Sequence, residues 1–380
     1  MQNLTQGDFK EKTVFVRVDY NVPLDEKGNI ISFNRINSTF KTIDFLLEKN
    51  AKIILCSHLG RPKGEKKAEY SLKPVYNYLK LKYPNILWGE DVVGDKIEEV
   101  KQQMKSGDIL LLENVRFIKG EEENDENVVK ELSKGVDCFV DEAFAVSHRS
   151  GASNFGIAQV LSSFIGFNYQ REIQNLSLKN KENPKLAIIG GAKIADKIKL
   201  LKSLLNKVDA LYIGGAIAST FLLSQGYEMG KSVVDKEQLN TAKEITNMAK
   251  EKGVKLVLPK DLIIADELAT NQKTQCVKIN QVPKDKMALD IGKESIKELK
   301  KMIKNYKTIF WNGTLGYNTI KEFENGTKSI VLALAKCKSF TIIGGGDTVG
   351  EVEKLNKQEK ISFVSTGGGA SLNFIQNEVY

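Results

Sequence analysis

Short apolar runs recur along the chain and set its rhythm. The first half holds "TVFVRV" (13–18), "KIILC" (52–56), "DILLL" (108–112) and "DCFV" (137–140). The second holds "KLAIIG" (185–190), "ALYIGG" (210–215), "KLVLP" (255–259), "KTIFWNG" (307–313), "FTIIGGG" (340–346) and "ISFVSTGGG" (361–369). Each is strand length and rich in β-branched residues, with apolar positions that run on continuously. Charged stretches with helical spacing lie between them, such as 36–49, 196–207 and 236–252. Continuous apolar strands alternating with helices predict an α/β fold with parallel sheets covered on both faces.

The two halves end their strands differently. In the first half polar side chains follow: "RVDYN", "SHLGRP", "ENVRF" and "DEAFAVSHR". In the second half glycines follow: "IIGGAK", "IGGA", "WNG", "IIGGGD" and "STGGGAS". Ligands of open α/β sheets bind outside the carboxyl ends of the strands, so the halves read as two domains offering different chemistry at equivalent places. The border is expected near 165–184, where "GFNYQREIQNLSLKNKENP" reads as a connecting helix stopped by Pro184. The acidic "GEEENDEN" (120–127) reads as a solvated loop without function.

Length and composition narrow the class. At 380 residues, 41% hydrophobic and 27% charged, the chain reads as a soluble globular protein of two domains. No apolar run approaches the eighteen or more residues of a membrane helix, and "MQNLTQGDFKEK" lacks the apolar core of a signal peptide. Cys56, Cys138, Cys276 and Cys337 are scattered, with no CxxC and only 2 histidines, which excludes a zinc framework and places the chain in the cytoplasm. The net charge of +8 is spread along the sequence with few aromatics nearby. That pattern suits small polyanionic substrates better than nucleic acid.

The glycine-ended strands carry the sharpest chemistry. A strand, then Gly-Gly, then a helix exposes backbone N–H groups at the helix's positive end. Lys193 and Lys197, four apart, are expected on one face of that helix, aimed at one anion. Neither GxxxxGK[ST] nor GxGxxG follows any strand, so this is neither a Walker-type loop nor a dinucleotide fingerprint. "GGGDTVG" adds Asp347, a carboxylate for Mg²⁺ carried on a nucleotide or else a helix N-cap, and Thr348 for phosphate oxygens. In the first half Arg17, Arg35, Arg61, Arg116 and Arg149 fall near strand or loop ends with His58 and His148. Arginine forks suit carboxylate and phosphate; Arg17, inside an apolar run, reads instead as a structural ion pair. Asp19 and Asn21 are acceptors for substrate hydroxyls, or a plain turn. A small anionic acceptor in one domain and a Mg-nucleotide in the other together imply phosphoryl transfer.

In order and spacing, "RVDYNVPL", "SHLGRPKG", "ENVRF", "DEAFAVSHR", "GGAKIADKI", "WNGTLG", "GGGDT" and "VSTGGGAS" resemble phosphoglycerate kinase over nearly the whole chain. The resemblance implies two doubly wound, Rossmann-like domains joined by a hinge helix: residues 1–167 binding phosphoglycerate and 168–366 binding nucleotide. The tail, about 367–380, is expected to return to the first domain. It implies reversible, direct in-line transfer between 1,3-bisphosphoglycerate and ADP on hinge closure, a glycolytic step carried out by a monomer. Matching positions make Asp19, Asn21, Arg35, His58, Leu59, Gly60, Arg61, Arg116 and Arg149 the phosphoglycerate site. Gly191, Ala192, Lys193, Lys197, Gly345, Gly346, Asp347 and Thr348 face the nucleotide phosphates, with Mg²⁺ at Asp347. Gly214, Gly215, Ala288, Leu289, Asn312 and Thr319 belong near base and sugar, and the glycines from Gly367 to Gly369, Gly368 among them, offer amides to the moving phosphoryl group. Arg35, Lys193, Lys197 and Gly368 are the expected catalytic set.

The chain also departs from the family pattern. Thr319 stands for a ribose-binding glutamate, Thr314 for a proline, Ala216 and Ala288 for glycines, and Gly151 for a histidine. These changes bear on nucleotide affinity and base preference. The alternatives are a non-catalytic binding protein that keeps the fold, and, more distantly, a nucleic-acid binder or a dehydrogenase.

Overall fold

The computed structural model describes residues 1–377, and the chain divides into two compact units, Met1–Gln174 and the remainder from Asn175. The division falls inside the helix Phe167–Leu176. Each unit is described separately.

The first unit is built on strands β1 (Gln2–Asn3), β2 (Thr13–Arg17), β3 (Lys52–Cys56), β4 (Leu87–Trp88), β5 (Ile109–Leu111), β6 (Cys138–Asp141) and β7 (Ser162–Ile165). They form one 7-stranded sheet in the order β1-β7-β6-β2-β3-β5-β4, parallel throughout. The side-chain period of two splits the central strands between two cores. Val14, Val16, Ile53, Leu55 and Leu111 pack on one face, Phe15, Ile54, Cys56, Leu110 and Phe139 on the other. Burial on both faces is why the strands read as unbroken apolar runs. The first-laid central strand, β2, lies between β3 and β6, so the winding reverses there.

The second unit carries β8 (Lys185–Ile189), β9 (Ala210–Ile213), β10 (Lys255–Val257), β11 (Asp261–Ala265), β12 (Gln275–Lys278), β13 (Met287–Ile291), β14 (Thr308–Asn312), β15 (Phe340–Gly344) and β16 (Phe363–Val364). Six form a parallel sheet in the order β10-β9-β8-β14-β15-β16. The winding reverses between β8 and β14, the crevice where open α/β sheets bind ligands. β12, β11 and β13 form a separate 3-stranded antiparallel sheet that the sequence pattern does not announce. Its outer strand is largely exposed, so no apolar run marks it.

The helices follow from patterning. Lys293–Asn305 buries Ile296, Leu299 and Ile303, three and four apart, and leaves its lysines outward. Gly215–Ser224 is apolar all round and buried on nearly every side. The helix Gly369–Asn377 lies in the second unit, where Ser203 Oγ donates to the Gln376 carbonyl at 2.9 Å. Residues 378–380, the end of the tail expected to return to the first domain, lie outside the described residues.

The connecting helix starts on a buried acid. Glu142, 1% exposed, accepts from Thr42 Oγ1 at 2.8 Å and from the Asn168 N–H at 3.1 Å, in the helix's first turn. Burial pushes its carboxyl up to about 8 from the ordinary 4.5, against those hydrogen bonds. The sign is set by the unfolded chain, which ionises first. Glu142 therefore makes the fold progressively less stable as pH rises from about 4.5 to about 8, with a plateau above. Glu142→Gln is expected to flatten that part of the slope. Denaturation midpoints for both proteins between pH 5 and 8.5 check this, and parallel slopes in the two proteins would count against it.

Candidate active site

In the second unit the carboxyl ends of β8, β14 and β15 converge. The Gly190 N–H donates to the Asn312 carbonyl at 2.9 Å and the Gly191 N–H to the Thr314 carbonyl at 3.0 Å, locking the loops that follow β8 and β14 together. Gly215 has φ +62°, and a Cβ there would stand 2.7 Å from the Gly191 backbone N and O. Gly345, at φ +96°, lets the chain turn sharply into the helix Gly346–Lys354, and a Cβ would meet the Asn312 amide at 2.4 Å. Only glycine satisfies both the left-handed backbone and the close approach.

These loops border a cavity of about 450 Å³ lined by Lys193, Lys197, Asn312, Gly345 to Thr348, Gly368 and Gly369, with Gly191 and Ala192. Two helix N-termini, of Gly346–Lys354 and Gly369–Asn377, border it. Unpaired first-turn N–H groups and the helix dipole favour an anion there. Lys197 Nζ donates to Asn312 Oδ1, while the Asn312 amide donates to the Gly344 carbonyl at 2.8 Å. Asn312 thus aims the ammonium. Burial holds Lys197 down to about 8 from the ordinary 10.5, although Asp347 and Asp196 pull it upward. Thr348 is fully buried and its Oγ1 accepts from the Gly313 N–H at 2.8 Å, which leaves the hydroxyl proton to donate.

A second cavity of about 280 Å³ adjoins the first, since Gly191, Ala192 and Asp347 line both. Its walls are Gly215, Ala216, Ala288, Leu289 and Leu262 on the apolar side, with Asn318 and Thr319 as polar members. A cationic chamber adjoining one with apolar walls has the layout of a nucleotide site.

In the first unit the cationic side chains gather at the ends of β2, β3 and β5. Arg35 Nη1 is 2.8 Å from Asp19 Oδ2 and 3.1 Å from the Asn21 carbonyl. Asn21 Oδ1 accepts from the Gly60 N–H at 3.0 Å, and Arg116 Nη1 donates to the Gly60 carbonyl at 2.7 Å. Leu59 is held by Asn114. His58 is buried, with Arg17 Nη2 at 3.3 Å and Asp19 Oδ1 at 3.9 Å. Burial first, then Arg17, Arg116, Arg35 and Arg149 in that order, hold the imidazole well below its ordinary value. His58 is therefore neutral at neutral pH and serves as a hydrogen-bonding group, not as a cation. His148 is also lowered, by burial and by Arg149.

A model of the family described as phosphoglycerate kinase matches residues 4–378. The chain belongs to the phosphoglycerate kinase family. It is 44% identical to the phosphoglycerate kinase of Borreliella afzelii (strain PKo) over 98% of this chain and 95% of the relative. With that of Finegoldia magna it shares 44% identity over 100% of this chain and 97% of the relative. The solved phosphoglycerate kinase from Coxiella burnetii superposes with a TM-score of 0.90 at 36% identity, covering 99% of this chain and 96% of that one. The corresponding figures for the Pyrococcus horikoshii OT3 enzyme are 0.81 and 30%, with the same coverage. The chain is thus a phosphotransferase of the phosphoglycerate kinase type, and nothing favours the non-catalytic alternative.

Within this phosphoglycerate kinase fold the expected residues are brought together, with exceptions. Lys193 and Lys197 do not share a helix face: a turn Ala195–Lys197 intervenes and the helix begins at Ile198. Gly191, at φ +110°, lies outside the helical region, yet both lysines reach one cavity. Asn312 lines the phosphate chamber and not the apolar one. Gly214 lines neither, because it packs beneath Leu315. Asp347 sits in the first turn of its helix, where the cap is Gly345. Arg17 is internal as expected, but its hydrogen-bond partners are Ser153, the Val18 carbonyl and His58 instead of a carboxylate. Arg61 and Arg149 are exposed.

The acidic run corrects the solvated-loop reading. Glu121 is 4% exposed and accepts from Ser153 Oγ at 2.6 Å. Glu122 lies 2.9 Å from Arg116 and 3.7 Å from Arg149, between the two guanidiniums. A block of like charge looks self-repelling in sequence, but here distant arginines neutralise it. Among the described residues no helix is long and apolar enough to cross a membrane.

Proposed function

We propose that this phosphoglycerate kinase moves a phosphoryl group reversibly between 1,3-bisphosphoglycerate and ADP, giving 3-phosphoglycerate and ATP, with the arginine cluster taking the phosphoglycerate and the paired cavities the nucleotide. The observation that carries this is one chamber combining Lys193, Lys197, two helix N-termini and two carboxylates, Asp196 and Asp347. Among the described residues no group of three or more His, Cys, Asp or Glu is placed to hold a metal. One or two carboxylates suit Mg²⁺ that arrives already bound to phosphate oxygens. Asp347 would hold it, and its charge would help to neutralise the nucleotide phosphates.

The chemistry asks the protein for charge and position. In the ATP-forming direction a β-phosphate oxygen of ADP attacks the acyl phosphate, the acyl C–O–P bond to phosphorus breaks, and a carboxylate leaves. Nothing must be protonated, because carboxylate and phosphate are both ionised at neutral pH, so no general base is needed. A neutral His58 agrees with that. The obstacle is repulsion between anions, which Lys197, Lys193, Arg35 and the amides near Gly368 offset as charge spreads over the moving group. The reading places the enzyme in the cytoplasm as a monomer, with Cys56, Cys138, Cys276 and Cys337 as free thiols.

A coupled assay with ATP, Mg²⁺ and 3-phosphoglycerate tests it. Turnover is expected. Binding of both ligands without transfer would contradict the reading.

Lys197 gives the nucleotide site a pH signature. Its value of about 8 in the free chain is expected to rise when phosphate arrives, so binding takes up a proton near pH 8. ADP affinity then declines as pH rises through 8, by less than about tenfold in all. Calorimetry at pH 8 in buffers of different ionisation enthalpy should show uptake in the native chain and little in Lys197→Met. Uptake of the same size in both would place the proton elsewhere.

A further inference from the structure

We propose that Asn318 reads a sugar hydroxyl of the nucleotide and that Glu351, buried behind it, fixes the direction in which its amide points. This rests on the nucleotide reading of the cavities. Asn318 lines the smaller cavity, and its Nδ2 donates to Glu351 Oε2 at 2.9 Å. An ionised carboxylate only accepts, so the amide has one orientation, with Nδ2 toward Glu351. Oδ1, an acceptor without a hydrogen-bond partner among the described residues, is then the atom left for a ligand. The loop is itself anchored: the Tyr317 N–H donates to the Leu289 carbonyl and the Asn318 N–H to the Gly316 carbonyl, both at 3.0 Å.

Glu351 is suited to that duty. It is 2% exposed; its other oxygen makes no hydrogen bond and has Lys354 Nζ at 3.4 Å. Lys354 in turn pairs with Glu324 at 2.7 Å. A buried carboxylate this thinly satisfied is costly, and holding a pocket amide gives it a use.

The position along the helix says which part of the ligand is met. Glu351 lies four residues after Asp347 on the helix Gly346–Lys354, one turn or roughly 6 Å along the axis. Asp347 lines both cavities, at the phosphate end of the smaller one. The apolar walls at Leu262, Ala288 and Leu289 suit a planar base. The unit between phosphates and base is the sugar, whose hydroxyls donate to a fixed acceptor.

The test compares ADP with 2′-deoxy-ADP and 3′-deoxy-ADP by direct titration of native chain, Asn318→Ala, Glu351→Gln and Thr319→Val. The native chain is expected to prefer ADP over at least one deoxy analogue by about 3–10-fold, the worth of one hydrogen bond. Asn318→Ala should reduce that preference to within about twofold by weakening ADP, since the analogue already lacks the bond. Glu351→Gln, which donates as well as accepts, should free the amide to turn and give an intermediate ratio. A purely structural Glu351 would weaken all three nucleotides alike. The proposal is overturned if Asn318→Ala keeps the native ratio, if Thr319→Val alone abolishes it, or if Asn318→Ala shifts ADP against GDP without touching the sugar preference. Failure of the native chain to bind ADP would instead sink the nucleotide reading itself.

Discussion

Lys197→Met should lower kcat by about 10²–10³-fold, ~3 kcal/mol of barrier, while weakening ADP binding at neutral pH by less than about tenfold. Methionine keeps the length and much of the apolar stem and deletes only the charge. The asymmetry follows from where the ammonium is held. Asn312 Oδ1 accepts from it in the resting chain, and Asn312 is tied to the Gly344 carbonyl behind it. The lysine is therefore placed before any ligand arrives, at the junction of β14 and β15, and meets phosphate charge without reorganising. On the proposed reading other groups would share the ground-state phosphates: Lys193, the helix N-termini and Asp347 through its ion, all bordering the same cavity. What they cannot replace is a desolvated cation at the group in flight, where charge is most spread. Rapid-quench turnover beside equilibrium titration separates the two effects. Equal losses in both would mean that Lys197 merely binds nucleotide.

Arg35→Met is expected to cost about 10²-fold in kcat, the lower end of what losing one stabilising donor costs. Arg35 is the partly open member of the first unit's cluster, its side chain 32% exposed and paired with Asp19 at 2.8 Å. Arg116 differs: it is buried at 6% and spends its guanidinium on the Gly60 carbonyl and Glu122. Its replacement should therefore disturb the loop at Gly60 and raise KM for 3-phosphoglycerate more than it lowers kcat. Arg35, held on one side by Asp19 and the Asn21 carbonyl, keeps other donors of its fork free for an incoming anion. Steady-state kinetics on both variants decides this. A fall in kcat for Arg116→Met larger than for Arg35→Met would reverse the roles assigned to them.

Much of this was legible because strands buried on two faces leave continuous apolar runs, and because their carboxyl ends must carry the ligand chemistry. Gly345 and Asp347 after β15, and Lys197 after β8, sit where the punctuation of the sequence put them. The helical spacing of Lys193 and Lys197 was a coincidence of numbering, since the turn Ala195–Lys197 lies between the first lysine and the helix at Ile198. The antiparallel pairing of β11, β12 and β13 is not legible because "QCVK" buries little and leaves no apolar signature beside the apolar runs of β11 and β13. Glu121 and Glu122 were hidden by their neighbours: one is buried against Ser153 and the other paired with arginines, through contacts that local sequence does not encode. Asn318 and Glu351, 33 positions apart, meet only through the packing of a loop on a helix. No spacing rule reaches such a pair.

Neutralisation of the moving phosphoryl group by Lys197 and by Arg35 is the central proposal. Its most direct measure is the equilibrium affinity of the chain for MgADP, 3-phosphoglycerate and a metal-fluoride mimic of that group bound together, set against MgADP alone. Lys197→Met and Arg35→Met should each weaken the three-part complex by about 10²-fold or more and MgADP by far less, since a transition-state interaction appears only in the former. Undiminished affinity of either variant for the mimic would contradict the account.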